Sequence, residues 1–169
     1  GSTGRPKGAV ISQRSFAHLA AQTRRHLGVG PGDRVLQFSS VSFDASIGDV
    51  AMAWGNGAAL VVATREAKLP GPALVRLLTE QRVTVLVLSP SALATLPPAE
   101  LPDLRLLMTA GEALPAELAG RWAPGRPLFN GYGPTEATVW ATCAERLAGT
   151  GRPAIGRLVD MQNWVFRHE

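Results

Sequence analysis

An α/β fold, with a largely parallel β-sheet flanked by helices on both faces, is the architecture this sequence predicts, and three observations predict it. Short apolar runs alternate with short helical segments along most of the 169 residues, the pattern of strand–helix–strand crossovers. Some runs, Val85-Leu86-Val87-Leu88 among them, are apolar at every position, as in strands covered on both faces. The 18 glycines and 13 prolines supply the many turns that such a fold needs.

Taken in order, residues 9–11 read as a short strand, and Ser12 or Ser15 caps a helix with the apolar face Phe16, Leu19, Ala20 and Leu27, closed by Gly28. Gly30-Pro31-Gly32-Asp33 turns the chain into a strand over 34–39, and a short helix over 47–54 is broken by Gly55-Asn56-Gly57. Residues 58–63 form an apolar strand, Pro72 opens a helix carrying Leu74, Val75, Leu77 and Leu78, and 84–88 form a β-branched strand. A helix over 91–96 ends at Pro97-Pro98 and a strand follows over 104–109. Pro115 then opens a helix through Leu118 to Trp122, and another strand begins at 127–129. There is no internal repeat and no low-complexity segment.

With 46% apolar residues, a chain of 169 residues buries roughly 70% of the surface that its unfolded form exposes. The net charge is +4, but the basic residues are scattered from Arg5 to Arg167 with Arg24-Arg25 the one adjacent pair, which argues against a nucleic-acid partner. The longest apolar stretch, 51–63, is interrupted by Gly55-Asn56-Gly57 and is too short to span a bilayer, so no membrane partner is expected either. A single cysteine, Cys143, allows no internal disulfide; a cytoplasmic location fits, with the thiol as a small buried apolar group. No signal-peptide core is visible, and the sequence opens without methionine inside a loop, as a piece of a longer protein is expected to. His18, His26 and His168 lack metal-ligand spacing and are expected to be solvated or at helix ends. No Gly-x-Ser-x-Gly elbow supports a hydrolase triad. Of the tryptophans at 54, 122, 140 and 164, only Trp140 has a reason to be more than core.

Ligands of such sheets bind at the carboxyl ends of the strands, and the unusual polar clusters fall there. They are Phe43-Asp44-Ala45-Ser46, Ser89-Pro90-Ser91, Ala110-Gly111-Glu112 and Asn130-Gly131-Tyr132-Gly133-Pro134-Thr135-Glu136. In the last, Tyr132 has the ring to stack on a base, Thr135 the hydroxyl to donate to a phosphate, and Glu136 the carboxylate to hold Mg²⁺. The plainer reading is a tight turn with a capped helix start. The opening run, Gly1-Ser2-Thr3-Gly4-Arg5-Pro6-Lys7-Gly8, has the glycines, hydroxyls and ammonium of a polyphosphate cradle, or of a flexible leader. It is not a Walker A loop, because Gly8 rather than Ser or Thr follows Lys7.

Four ordered segments, residues 1–8, Phe43-Asp44-Ala45-Ser46, Asn130 to Glu136, and Gly151-Arg152-Pro153-Ala154-Ile155-Gly156, resemble the core signatures of the adenylate-forming superfamily. More narrowly they resemble the amino-acid adenylation domains of nonribosomal peptide synthetases, from residue 1 to about Val165. The resemblance implies a portion of the N-terminal core of such an enzyme. The phosphate loop would be 1–8, a substrate-pocket subdomain about 34–145, and a diverged tail 157–169. Ser2, Thr3, Gly4 and Lys7 match the loop that handles the β- and γ-phosphates of ATP. Gly111, Glu112 and Ala113 match the turn beside adenine, Asn130 the residue facing its amine, and Tyr132 the stacking ring between Gly131 and Gly133. Thr135 corresponds to the α-phosphate contact and Glu136 to the Mg²⁺ ligand; with Lys7 they are the catalytic candidates.

In amino-acid-activating relatives an aspartate after Phe at this point pairs with the substrate's α-ammonium, which makes Asp44 the diagnostic residue, although Asp before Ala-Ser-Ile also suits a helix N-cap. By the same resemblance the pocket is lined by Ala45, Gly48, Ser91, Met108, Ala110, Gly131, Val139 and Trp140. None is charged, so an uncharged side chain is expected, a hydrophobic or aromatic one if Trp140 is a wall and a smaller one if Trp140 fills the space. The reaction implied is attack of the substrate carboxylate on the α-phosphorus of Mg·ATP, giving aminoacyl-AMP and pyrophosphate. The acyl group then passes to the phosphopantetheine thiol of a peptidyl carrier protein.

The family's ribose-binding Asp, hinge and C-terminal Lys have no match here, and Gly156-Arg157-Leu158 stands where relatives read Gly-Arg-Pro. The segment Asn163-Trp164-Val165-Phe166 is only loosely similar. The chain is therefore expected to need the remaining parts of the domain as partners, and to be inactive and to bind ATP poorly without them. An acyl- or aryl-CoA ligase fragment, or a non-catalytic nucleotide-binding or specificity module, are the alternatives.

Overall fold

Helix α1 (Gln13–Leu27) starts where Ser12 Oγ accepts the Ser15 N–H at 3.1 Å and ends at Gly28, whose N–H returns to the Arg24 carbonyl. Ser12, not Ser15, is the cap. The structure, a computed structural model, describes residues 8–97, 99–144, 151 and 153–159. After α1 come β1 (Arg34–Leu36), α2 (Ala45–Trp54), β2 (Ala59–Val61), α3 (Pro72–Glu80) and β3 (Val85–Leu88). They are followed by α4 (Pro90–Ala94), β4 (Leu106–Ala110), α5 (Ala116–Trp122), β5 (Leu128–Tyr132), a 3₁₀ turn (Thr135–Ala137), β6 (Thr142–Ala144) and β7 (Arg157–Leu158).

The strands make one sheet in the order β2-β1-β3-β4-β5-β6-β7; the pairs from β2 through β5 are parallel and the last two antiparallel. Because successive strand residues point to opposite faces, the sheet has two cores. On one face Val35, Val85, Val87, Leu106, Met108 and Phe129 meet Leu19 and Leu27 of α1 and Met52 of α2. On the other, Leu36, Leu86, Leu88, Leu107 and Leu128 meet Leu74 and Leu78 of α3, Leu93 of α4, and Leu118 and Trp122 of α5. Helices on both faces of a largely parallel sheet are what the sequence predicts.

This strand order places the carboxyl ends of β1, β3, β4 and β5 side by side. The amino ends of β1, β3 and β4 are tied by Asp33, which accepts from Arg105 Nε at 2.7 Å, from Thr84 Oγ1 at 2.8 Å and from the Gly30 N–H at 3.0 Å. Burial alone raises the Asp33 carboxyl, but the hydrogen bonds from Arg105, Gly30 and Thr84 outweigh it and hold it below its ordinary value.

Three expectations are corrected. Residues 9–11 form no strand; Val10 is fully exposed, and neither edge of the described sheet, β2 or β7, pairs with them. Strands β1 and β2 are shorter than the apolar runs that predict them, because the chain leaves the sheet after the Gln37 N–H bonds the Val61 carbonyl at 2.9 Å. Cys143 is half-buried on β6 rather than fully buried.

Candidate active site

Asp44 heads α2 but does not cap it: its backbone is helical (φ −62°, ψ −25°) and its carboxylate makes no capping hydrogen bond. The helix starts instead through backbone bonds to the Phe43 and Asp44 carbonyls, with Ser46 Oγ donating to the Phe43 carbonyl at 2.7 Å. The half-buried carboxylate is left available to a ligand. One turn on, Gly48 is buried where a Cβ would sit 3.1 Å from Val139 Cγ1 and 3.2 Å from Trp140 Cζ3. Ala45, Gly48, Val139 and Trp140 are thus brought to one wall.

A second wall comes from the sheet. Ala110 of β4 is in register with Gly131 of β5, and the Met108 methyl fills the place that a Gly131 side chain would need. Ser91 stands at the start of α4, where its N–H and hydroxyl donate to the Glu112 carboxylate at 3.0 and 2.8 Å. That joins the expected substrate position to the turn Gly111-Glu112-Ala113, which is exposed and needs glycine for its φ of 85°.

The hairpin from β5 to β6 sets the rest. Gly133 lies so close to the Trp140 and Ala141 backbone that any side chain there would collide. Thr138 and Val139 both take positive φ, 58° and 78°, and the Trp140 N–H bonds back to the Thr138 carbonyl at 3.1 Å. Such angles cost a β-branched residue about 1–3 kcal/mol each. Here they swing the Trp140 ring, 7% exposed, over Gly48. Tyr132 presents an exposed ring at the end of β5, and Thr135 and Glu136 are exposed on the 3₁₀ turn.

Asn130 is buried, and its amide is engaged: Nδ2 donates to the Ala154 carbonyl at 2.9 Å and Oδ1 lies 3.4 Å from Thr109 Oγ1. Through Nδ2 it fastens the segment 153–156 to β5. Ser2, Thr3, Gly4 and Lys7 lie outside the described residues. Glu136 shares a cleft of about 870 Å³ with Ser12, Ser15 and His18 along α1. From the sequence that helix face reads only as an amphipathic surface; the spacing 12, 15, 18 is the signal for it. As a Mg²⁺ ligand Glu136 would act singly, since no group of three or more His, Cys, Asp or Glu gathers among the described residues. One exposed carboxylate completed by phosphate oxygens and water is a donor set that suits Mg²⁺.

Among the described residues no helix is long and apolar enough to cross a membrane. Residues 1–165 match the family model of the AMP-binding enzymes. The chain is 48% identical over 166 residues to the probable non-canonical nonribosomal peptide synthetase CymA of Salinispora arenicola, covering 98% of this chain and 2% of CymA. It is 50% identical over 157 residues to a linear gramicidin synthase of Brevibacillus parabrevis, covering 93% of this chain and 3% of that protein. The crystal structure of the Vibrio cholerae adenylation domain AlmE with glycyl-adenosine-5'-phosphate superposes with a TM-score of 0.85 at 31% identity, covering 96% of this chain and 32% of AlmE. The chain thus spans a small part of these synthetases and about a third of one adenylation domain. Since fold, motif order and the family model coincide over nearly the whole length, the chain belongs to the AMP-binding enzymes and matches the adenylation domains of nonribosomal peptide synthetases.

Proposed function

We propose that this chain supplies the amino-acid pocket and much of the nucleotide site of a cytoplasmic amino-acid adenylation domain. The observation that carries the reading is Asp44, a half-buried carboxylate at a helix start that makes no capping bond, beside walls without charge. A carboxylate so placed favours an α-ammonium, and an acid without an amine leaves it unpaired. The substrate carboxylate attacks the α-phosphorus, its P–O bond forms as the bond to pyrophosphate breaks, and the acyl group then leaves AMP for a carrier-protein thiol. Tyr132 stacks on adenine, Thr135 donates to the α-phosphate, and Lys7 with Ser2, Thr3 and Gly4 holds the outer phosphates. Glu136 would hold Mg²⁺, whose charge would offset that of the phosphates. The chain's own contribution is positioning and preorganised donors.

Packing favours the smaller of the two substrate classes that the lining allows. The spaces left by Gly48 and Gly131 are already filled by Val139, Trp140 and Met108, so a small or medium uncharged side chain fits better than an aromatic one. The AlmE structure holds glycyl-adenosine-5'-phosphate, the adenylate of the smallest amino acid. Amino-acid-dependent ATP–pyrophosphate exchange by the adenylation domain that carries this chain tests the proposal. Small uncharged amino acids should lead, and Trp140→Ala should shift preference towards larger ones. Preference for aromatic substrates by the unsubstituted domain would refute the size argument. Equal use of acids without an α-amine would favour a CoA ligase, and ATP binding without exchange a non-catalytic module.

A further inference from the structure

A buried carboxyl on α2 takes no part in the proposed site. Asp49 is 1% exposed on the inner face of α2, next to Gly48 in a helix otherwise packed through Ala51, Met52 and Ala53. A carboxyl buried there costs more than an apolar residue of its size unless it makes a needed bond. The bond it makes is long-range in sequence: Asp49 Oδ2 accepts the Phe38 N–H at 3.2 Å, while Oδ1 has no hydrogen-bond partner among the described residues.

Phe38 is where the chain leaves the sheet, because the Gln37 N–H makes the last bond to β2. The other side of that exit is held by Lys68, whose Nζ donates to the Gln37 carbonyl at 3.0 Å and to Gln37 Oε1 at 3.1 Å; Gln37 Nε2 in turn donates to the Ser39 carbonyl. Residues 38–44 therefore form a loop pinned at its start by Asp49 and Lys68, and at its end it delivers Asp44. Asp44 has no capping bond of its own to fix it. Where α2 sits against the end of β1 decides where the Asp44 carboxylate sits relative to Gly48 and Trp140.

We propose that Asp49, assisted by Lys68 through Gln37, is a positioning residue for the substrate-ammonium site, holding Asp44 by clasping α2 to the exit of β1. The inference rests on the reading that Asp44 binds the α-ammonium. Its test uses the complete adenylation domain carrying this chain and measures kcat/KM for pyrophosphate exchange with the best amino acid and with the same acid lacking the α-amine. The ratio of the two reports ammonium recognition, and a purely structural loss lowers both without moving it.

Asp49→Leu, which removes the acceptor, should lower the ratio about tenfold, mainly through the KM of the amino acid; Asp49→Asn, which keeps an oxygen for the Phe38 N–H, should stay within about threefold of the parent. Lys68→Met should lower the ratio in the same direction by about threefold, and it decides the matter if Asp49→Leu does not fold. An unchanged ratio in Asp49→Leu, or in Lys68→Met where the leucine variant is insoluble, overturns the inference. Asp44→Ala separates the two levels. If it collapses the ratio while the Asp49 variant does not, only the positioning role fails; if it leaves the ratio unchanged, the reading of Asp44 fails.

Discussion

Gly48→Ala sets two opposing effects against each other at the wall of the pocket. In a helix interior alanine is favoured over glycine by about 1 kcal/mol, so an unhindered site gains stability. At Gly48 the new methyl would stand 3.1 Å from Val139 Cγ1 and 3.2 Å from Trp140 Cζ3, a few tenths of an ångström inside normal contact. The ring cannot retreat easily, because Trp140 is buried and its backbone runs against Gly133. Overpacking of this kind costs about 1–3 kcal/mol, so the net result is a loss of about 1 kcal/mol and a lowered Tm. In pyrophosphate exchange the variant should lose activity with the larger accepted amino acids before it loses activity with the smallest. A raised Tm, with the substrate profile unchanged, would mean that the propensity gain is unopposed and that Trp140 does not close the pocket at Gly48.

Two other consequences concern stability. Arg105→Ala should destabilise by about 1–3 kcal/mol in urea titration, the figure being discounted because the arginine is half exposed. Asp33 then loses the partner that lowers its carboxyl, so stability that is present above the ordinary carboxylate pKa, and lost as pH falls through the lower folded value, should fall off less steeply on the acid side. Asp49 has the opposite sign. Burial pushes its carboxyl up to about 8, against the pull of the Phe38 and Ser39 backbone amides and of Lys68. Its contribution is full below the ordinary value of 3.8 and is lost as pH rises through about 8, so thermal melts of Asp49→Asn should depend less on pH between those values. An equal slope in the two proteins would place the titration elsewhere.

Much of the fold is legible in the sequence because two local signals carry it. The all-apolar run Val85-Leu86-Val87-Leu88 states that both faces are covered, and it feeds two separate cores. Pro72, whose ring fixes φ, marks the start of α3, and Gly28, free to take a φ of 64°, marks the end of α1. What is not legible depends on partners distant in the chain. Residues 9–11 have a strand's composition but no strand paired with them among the described residues, whereas Thr142-Cys143-Ala144 is recruited by pairing with Asn130, Gly131 and Tyr132. At the site, Asp44, Gly48 and Trp140 follow from motif order, but the contact among Gly48, Val139 and Trp140 needs positive φ at two β-branched residues, which no pattern predicts. Asp49 escapes a reading of the sequence because one acidic residue in an apolar helix looks like a solvated position; its inward placement comes from the helix phase set by Ala53 and Met52.

The most direct test of the central claim is whether pyrophosphate exchange depends on the substrate's α-amine, and whether that dependence resides in Asp44. In the adenylation domain carrying this chain, an uncharged amino acid should support exchange about 10- to 150-fold better than its amine-free analogue, the range that a charge-assisted hydrogen bond of about 1.5–3 kcal/mol gives. Asp44→Ala should remove most of that difference. Equal exchange with the two acids in the parent domain, or a difference that survives Asp44→Ala intact, would contradict the account.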